Sequence, residues 1–92
     1  GKKMRAVVSV IGKDMVGILA KVSVECEKAN MNVLEVSQTL LQDMFAMIML
    51  IDITKGNTSL SDFAQHMEEV GKKEGLIIHV MHEDIFNSMH KI

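Results

Sequence analysis

The 92-residue sequence contains no proline, no tryptophan, no tyrosine, one cysteine and three phenylalanines. Without proline, and with its six glycines scattered, it offers no linker, low-complexity tract or internal boundary. Residues 4–92 therefore read as one domain, and Gly1-Lys2-Lys3 ahead of Met4 as a remnant outside it. The lone Cys26 cannot close an internal disulfide, which fits a reducing, cytoplasmic setting. No run of about eighteen apolar residues and no apolar signal core is present, so neither a membrane span nor export is expected. The net charge of −2, with no long run of like charge, lacks the electrostatic footprint of a partner for nucleic acid or an anionic membrane.

Catalytic and metal-binding patterns are equally scarce. No cysteine or serine comes with a histidine base and an orienting acid in a local arrangement, and Gly12 to Gly17 has neither the spacing nor the lysine of a phosphate-cradling loop. His79 and His82, three apart on a strand, point to opposite faces, and His66 and His90 are isolated, so no zinc shell forms. The methionines fall mostly on core positions, where they fill gaps. Neither a metal nor a cofactor is expected, and the chain is not expected to be an enzyme.

What is present is a change of period. Met4 to Ile11 is short and β-branched, which suits a buried strand. Beyond Gly12-Lys13-Asp14-Met15-Val16-Gly17, the residues Ile18, Leu19, Val22, Cys26 and Ala29 recur at helical spacing, with Lys21, Glu25 and Lys28 opposite. The glycines permit backbone angles closed to other residues, and Asp14 is placed to cap the helix through the amide of Val16 or Gly17. The first helical amides have no partners within the helix and point over the turn, which makes a small-anion pocket there.

Asn30-Met31-Asn32 closes this helix, since asparagine tolerates the left-handed conformation. Residues 32–41 alternate as a half-buried strand, with Leu34, Val36 and Leu40 on one parity and a bulge expected at Gln38, where the pattern breaks. Gln42-Asp43 reads as a tight hairpin into a strand over 44–53. This strand is apolar on both parities: Ala46, Ile48 and Leu50 on one, Phe45, Met47, Met49 and Ile51 on the other. One helix layer covers one face only, so a second copy of the chain is expected over the other.

Ser59 followed by Asp62 starts a second helix, which ends at Gly75. Its stripe is Leu60, Phe63, Ala64, Met67, Val70 and Gly71, with Glu68–Lys72 and Glu69–Lys73 as outward pairs. A last strand over 76–82 and an amphipathic tail helix with Ile85, Phe86, Met89 and Ile92 complete the chain. The order is βαββαβ, an α+β ferredoxin-like arrangement: a four-stranded antiparallel sheet with β1 and β3 central, two helices on one face and a short C-terminal helix. RNA-recognition modules share that order but stack bases on aromatics of the central strands, where this chain has only Phe45. A metal carrier of this layout needs a Cys-x-x-Cys loop, and an acylphosphatase-like enzyme needs an arginine in its first loop; the only arginine here is Arg5, inside the first strand.

Three stretches together resemble the ACT domain family, whose members typically bind amino acids or similar small ligands as regulatory modules. They are Gly12-Lys13-Asp14-Met15-Val16-Gly17-Ile18-Leu19-Ala20, Asn32-Val33 with Ser37-Gln38-Thr39, and the tail from Ile85 to Ile92, which is similar to small stand-alone ACT proteins related to the glycine cleavage system repressor. Val16 stands where many members carry proline. The resemblance implies a homodimer with an amino-acid-like ligand held by Asp14, Met15, Val16, Gly17 and Ile18 of one copy and Asn32 and Val33 of its neighbour, and another protein as the output. The ligand's carboxylate would lie over the amides of Gly17 and Ile18, and its ammonium by Asp14 or Asn32. Beside this stand plainer readings: Asp14 only caps a helix, Asn32 only ends one, and the chain is an association module without a functional ligand site.

Overall fold

A computed structural model describes residues 4–13 and 17–90 of the chain. The elements are β1 (Arg5–Gly12), α1 (Ile18–Lys28), β2 (Asn32–Leu41), β3 (Met44–Asp52), α2 (Leu60–Glu74), β4 (Ile77–His82) and α3 (Glu83–Met89). The sheet order is β2-β3-β1-β4 with every neighbouring pair antiparallel, so β1 and β3 are central as expected. The tail helix starts two residues earlier than its apolar pattern indicates. The His82 side chain, whose Nδ1 accepts from the amide of Asp84 at 3.0 Å, fixes that start.

Period-two alternation decides which residues reach the core. In β1 and β3, Ala6, Val8 and Val10 stand beside Ile51, Met49 and Met47, and all six are fully buried. From the helices, Ile18, Val22 and Cys26 of α1 and Phe63 and Met67 of α2 close over them. Full burial of such a side chain is worth about 1.5 to 3 kcal/mol. The helices are tied outside the core by a Lys21–Glu74 ion pair and by His66 Nε2 on Glu25 Oε1 at 2.6 Å. Among the described residues no helix is long and apolar enough to cross a membrane.

Local signals act where they were read. Asn30 takes a positive φ of 58° just past α1. Ser59 caps α2 by accepting from the amide of Asp62 at 3.0 Å. Gln42, in a two-residue hairpin without glycine, itself adopts φ 55°, a conformation that costs a non-glycine residue of order 1 kcal/mol. Gly75, at φ 72°, turns the chain so that the Leu76 amide donates to the Gly71 carbonyl at 2.7 Å.

Several expectations are corrected. Leu19 is exposed, because α1 begins at Ile18 and its buried positions are Ile18, Val22 and Cys26. β2 is not half-buried: its residues 32–40 are all exposed, as an edge strand paired on one side only can be. The β2–β3 register shifts between Val33 and Glu35, not at Gln38. That shift puts Val36 beside Met49 and Leu40 beside Phe45, and so on the helix side. Glu68 lies 3.8 Å from the His79 ring rather than pairing with Lys72. Of the methionines, Met31, Met47, Met49 and Met67 are buried, while Met4, Met44 and Met89 are at the surface.

Gly71 shows how closely α2 sits on β4. A Cβ built there would lie 2.8 Å from the Leu76 carbonyl oxygen and 3.0 Å from Ile78 Cγ1. Alanine normally stabilises a helix interior over glycine by about 1 kcal/mol, but here a backbone oxygen would have to retreat. Gly71→Ala is expected to lower the unfolding free energy by about 1 to 3 kcal/mol in urea denaturation followed by circular dichroism; a more stable variant would show that α2 can shift freely.

Candidate functional site

β1 runs into the first loop at Gly12, whose backbone is buried against Leu76: a Cβ there would come within 2.3 Å of Leu76 Cδ2. Asp14, Met15 and Val16, and with them the expected Asp14 cap, lie outside the described residues. α1 opens at Gly17, which has φ 76° and ψ 0° and, among the described residues, receives no side-chain cap. The Gly17 carbonyl accepts from the Lys21 amide at 2.9 Å. Among the described residues, nothing lies within 4 Å of the position a Cβ on Gly17 would take. Ile18 divides its roles, since its side chain belongs to the core and only its amide is at the helix start.

Asn32 and Val33 lie elsewhere. Asn32 is in register with Asp52, and Asp52 with Arg5, whereas Gly12 is in register with Phe45. The two halves of the nominated site are thus separated by about seven residues of strand, or roughly 23 Å. One chain does not bring them together. Around Asn32 there is a polar cavity of about 240 Å3 lined by Asn30, Asn32, Asp52, Thr54 and Lys55. Its walls are internally tied: Asn30 Nδ2 donates to the Lys55 carbonyl at 2.8 Å, the Thr54 amide donates to Asp52 Oδ1 at 2.9 Å, and Thr54 Oγ1 accepts from the Met4 amide at 2.8 Å. The lining thus combines the amide side chains of Asn30 and Asn32 with Asp52 and Lys55. Sequence reasoning found Asn32 and missed Asn30, Asp52, Thr54 and Lys55, because only the β2–β3 register brings the start of one strand beside the end of the next. The polar run following Ile51 was the available signal.

The opposite end of the sheet has a different character. Ile11, Leu40, Met44 and Ala46, with the turn residues Gln42 and Asp43, line a mainly apolar groove of about 520 Å3. A third cleft, of about 320 Å3, lies where Glu25 and Lys28 of α1 face His66 of α2. Among the described residues no three histidine, cysteine, aspartate or glutamate side chains converge as metal ligands. His79 stands beside Ser9 and His82 beside Ala6, positions of opposite parity.

This loop, strand order and tail invite comparison with known proteins. Residues 5–81 match the family model described as the ACT domain. The chain belongs to the ACT domain family. Among its relatives, a UPF0237 protein of Clostridium perfringens is 46% identical over 97% of this chain and all of its own length. The ACT domain protein from Streptococcus pneumoniae superposes with a TM-score of 0.81 at 27% identity, covering 92% of this chain and 96% of that one. A putative glycine cleavage system transcriptional repressor shares the fold, with a TM-score of 0.71 at 20% identity over 89% of this chain and 47% of its own. The ferredoxin-like ACT fold and the resemblance to small stand-alone members both hold.

Cys26 is the one described nucleophile of its kind, and its surroundings suppress it. Burial pushes the thiol pKa up, with the Glu25 carboxylate adding to the effect, to about 11. At pH 8 the folded thiol is thiolate to only about one part in a thousand. Alkylation by iodoacetamide at pH 8 is therefore expected to run at least about a hundredfold slower in native protein than in urea; equal rates would overturn the assigned burial.

Proposed function

We propose that this chain is a non-catalytic regulatory module that binds a small amino-acid-like ligand between two copies of itself. The observation that carries this reading is membership of the ACT domain family over residues 5–81. Two features of the geometry support it. Gly17 opens α1 with no described residue within 4 Å of where its Cβ would lie, and the dipole at a helix start favours a carboxylate by roughly 0.3 to 1 kcal/mol. The cavity at Asn32, at the other end of the sheet, is lined by amide side chains with Asp52, Thr54 and Lys55. A two-fold pairing of chains brings the first end of one copy to the second end of the other, so that a ligand meets Asp14, Met15, Val16, Gly17 and Ile18 from one side and Asn32 and Val33 from the other. The same ligand would favour the paired state, and pairing is how occupancy reaches a downstream protein. The buried, suppressed thiol of Cys26 is consistent with a role in packing and not in covalent catalysis.

Isothermal titration calorimetry with each of the common amino acids tests the reading on wild type, Asp14→Ala and Asn32→Ala. At least one amino acid is expected to bind wild type, and each substitution to weaken it about tenfold or more, equivalent to about 1.4 kcal/mol, while thermal midpoints stay close to wild type. Heats absent from wild type across the panel would remove the sensing role and leave an association module.

A further inference from the structure

β4 passes into α3 without a loop: the strand ends at His82 and the helix opens at Glu83, so one histidine is both the last strand residue and the helix cap. Its backbone is extended, at φ −60° and ψ 145°, and its Nδ1 stands 3.0 Å from the Asp84 amide. An amide only donates, so Nδ1 must offer a lone pair and the ring proton of His82 belongs on Nε2. The common caps serine, threonine and asparagine keep an acceptor oxygen at any pH, whereas a protonated imidazole has two donors and no acceptor.

The far end of α3 makes the opposite demand. His90 Nδ1 lies 2.8 Å from the Phe86 carbonyl, which only accepts, and the ring stacks on Phe86 with centroids 4.2 Å apart. Here the nitrogen must carry its proton, and a positive ring is favoured at the negative end of a helix dipole. Two histidines thus bracket α3, one needing Nδ1 bare and the other needing it protonated.

We infer that His82 makes the first turn of α3 a pH-dependent hinge, closed while its imidazole is neutral and open once it is protonated. Histidine is the side chain whose charge ordinarily changes between pH 5 and 8, and that of His82 is 31% exposed, so solvent protons reach it directly. Protonation turns Nδ1 from acceptor to donor and sets a positive charge at the positive end of the α3 dipole. The cap is therefore present at higher pH and lost as pH falls. Asp84 Oδ2, 3.7 Å from Nδ1, is placed to take the new N–H, which exchanges the cap for a side-chain contact and leaves the Asp84 amide unpaired. The remaining charges near this junction are already engaged: Glu83 Oε2 lies 2.6 Å from Arg5 Nη2 of β1, with Asp52 of β3 in register with Arg5. From α2, which packs on β4, Glu68 lies 3.8 Å from the ring of His79.

The hinge governs what α3 covers. Val7 of β1 stands outside the core cluster, in register with Leu50 and Met81, yet is only 5% exposed. Ile11, on the same face four residues along, is 37% exposed. The element that contacts β1 and β4 at the Val7 end is α3. The Arg5–Glu83 tie does not pass through the imidazole, so opening the first turn uncovers Val7 while the helix stays tethered. This device uses neither Gly17 nor Asn32 and is independent of ligand.

Amide hydrogen exchange by NMR tests it on the full chain as wild type, His82→Asn and His82→Ala, at about pH 7.5 and about pH 5, with each rate divided by its intrinsic rate. Protection within α3 is expected to fall about tenfold in wild type between the two conditions, while that of α2 is unchanged. His82→Asn, whose amide oxygen caps without titrating, is expected to keep α3 protected at both, and His82→Ala at neither. Ring nitrogen shifts at the higher pH are expected to place the proton on Nε2 of His82 and on Nδ1 of His90. A wild-type α3 with the same protection at both conditions, a His82→Asn that loosens as wild type does, a His82→Ala as protected as wild type, or a His82 proton on Nδ1 at the higher pH would each overturn the inference.

Discussion

The antiparallel pairing of β1 with β3 is the constraint on which the other elements depend. Both strands are central, both satisfy their backbone groups on two sides, and both carry apolar side chains on two faces. An antiparallel sheet commonly leaves one face in water when that face is polar, but here both faces of the central pair carry apolar side chains. On one face, Ala6, Val8, Val10, Met47, Met49 and Ile51 are sealed by the stripes of α1 and α2. On the other, among the described residues, the chain supplies the seven residues of α3. The two central strands are thus paired on both sides, while the second face of the sheet is only partly covered.

The same pairing sets the character of the sheet's two ends. Because strands antiparallel to one another exchange ends at each turn, the end at Gly12 collects the β1–α1 loop and the β2–β3 hairpin. The end at Arg5 collects the starts of β2 and α3 and the segment following β3. Short polar residues concentrate at the second end, where Asn30, Asn57 and Thr54 tie backbone to side chain across stretches remote in sequence. The Asn30 and Thr54 bonds lie in the wall of the Asn32 cavity, whereas the groove at the first end has mainly apolar walls and a hairpin with Gln42 at positive φ.

Much of this was legible because it rests on local chemistry. The switch of period at Gly12–Gly17, the Ser59 cap, the Asn30 and Gly75 terminators and the double-sided apolarity of β3 each follow from neighbouring residues, and together they leave one topology. What escaped was set by distance in sequence. β2 alternates well enough to look half-buried, but an edge strand is covered only if a helix reaches over it, and helix reach is a tertiary property. The bulge falls between Val33 and Glu35 and not at Gln38 because register is fixed by what β3 must bury, not by where the pattern of β2 falters. Likewise the polar cavity needs two strand termini to meet, so Asn32 was found alone and its companions were not.

In the reading proposed above, ligand sensing and self-association are linked by this geometry. Gly17 and Asn32 belong to opposite ends of a sheet whose stiffness prevents any local motion from closing the distance between them. Any site that uses both must be shared between chains, and its occupancy then acts directly on the pairing equilibrium. A second copy packed over the open apolar face would supply a separate association energy that does not depend on ligand. A module with both contacts can remain assembled through the face while the ligand biases only the loop contact. Binding energy then goes into changing one interface and not into creating the whole assembly, so a ligand too small to hold two chains together unaided can still shift how they are arranged.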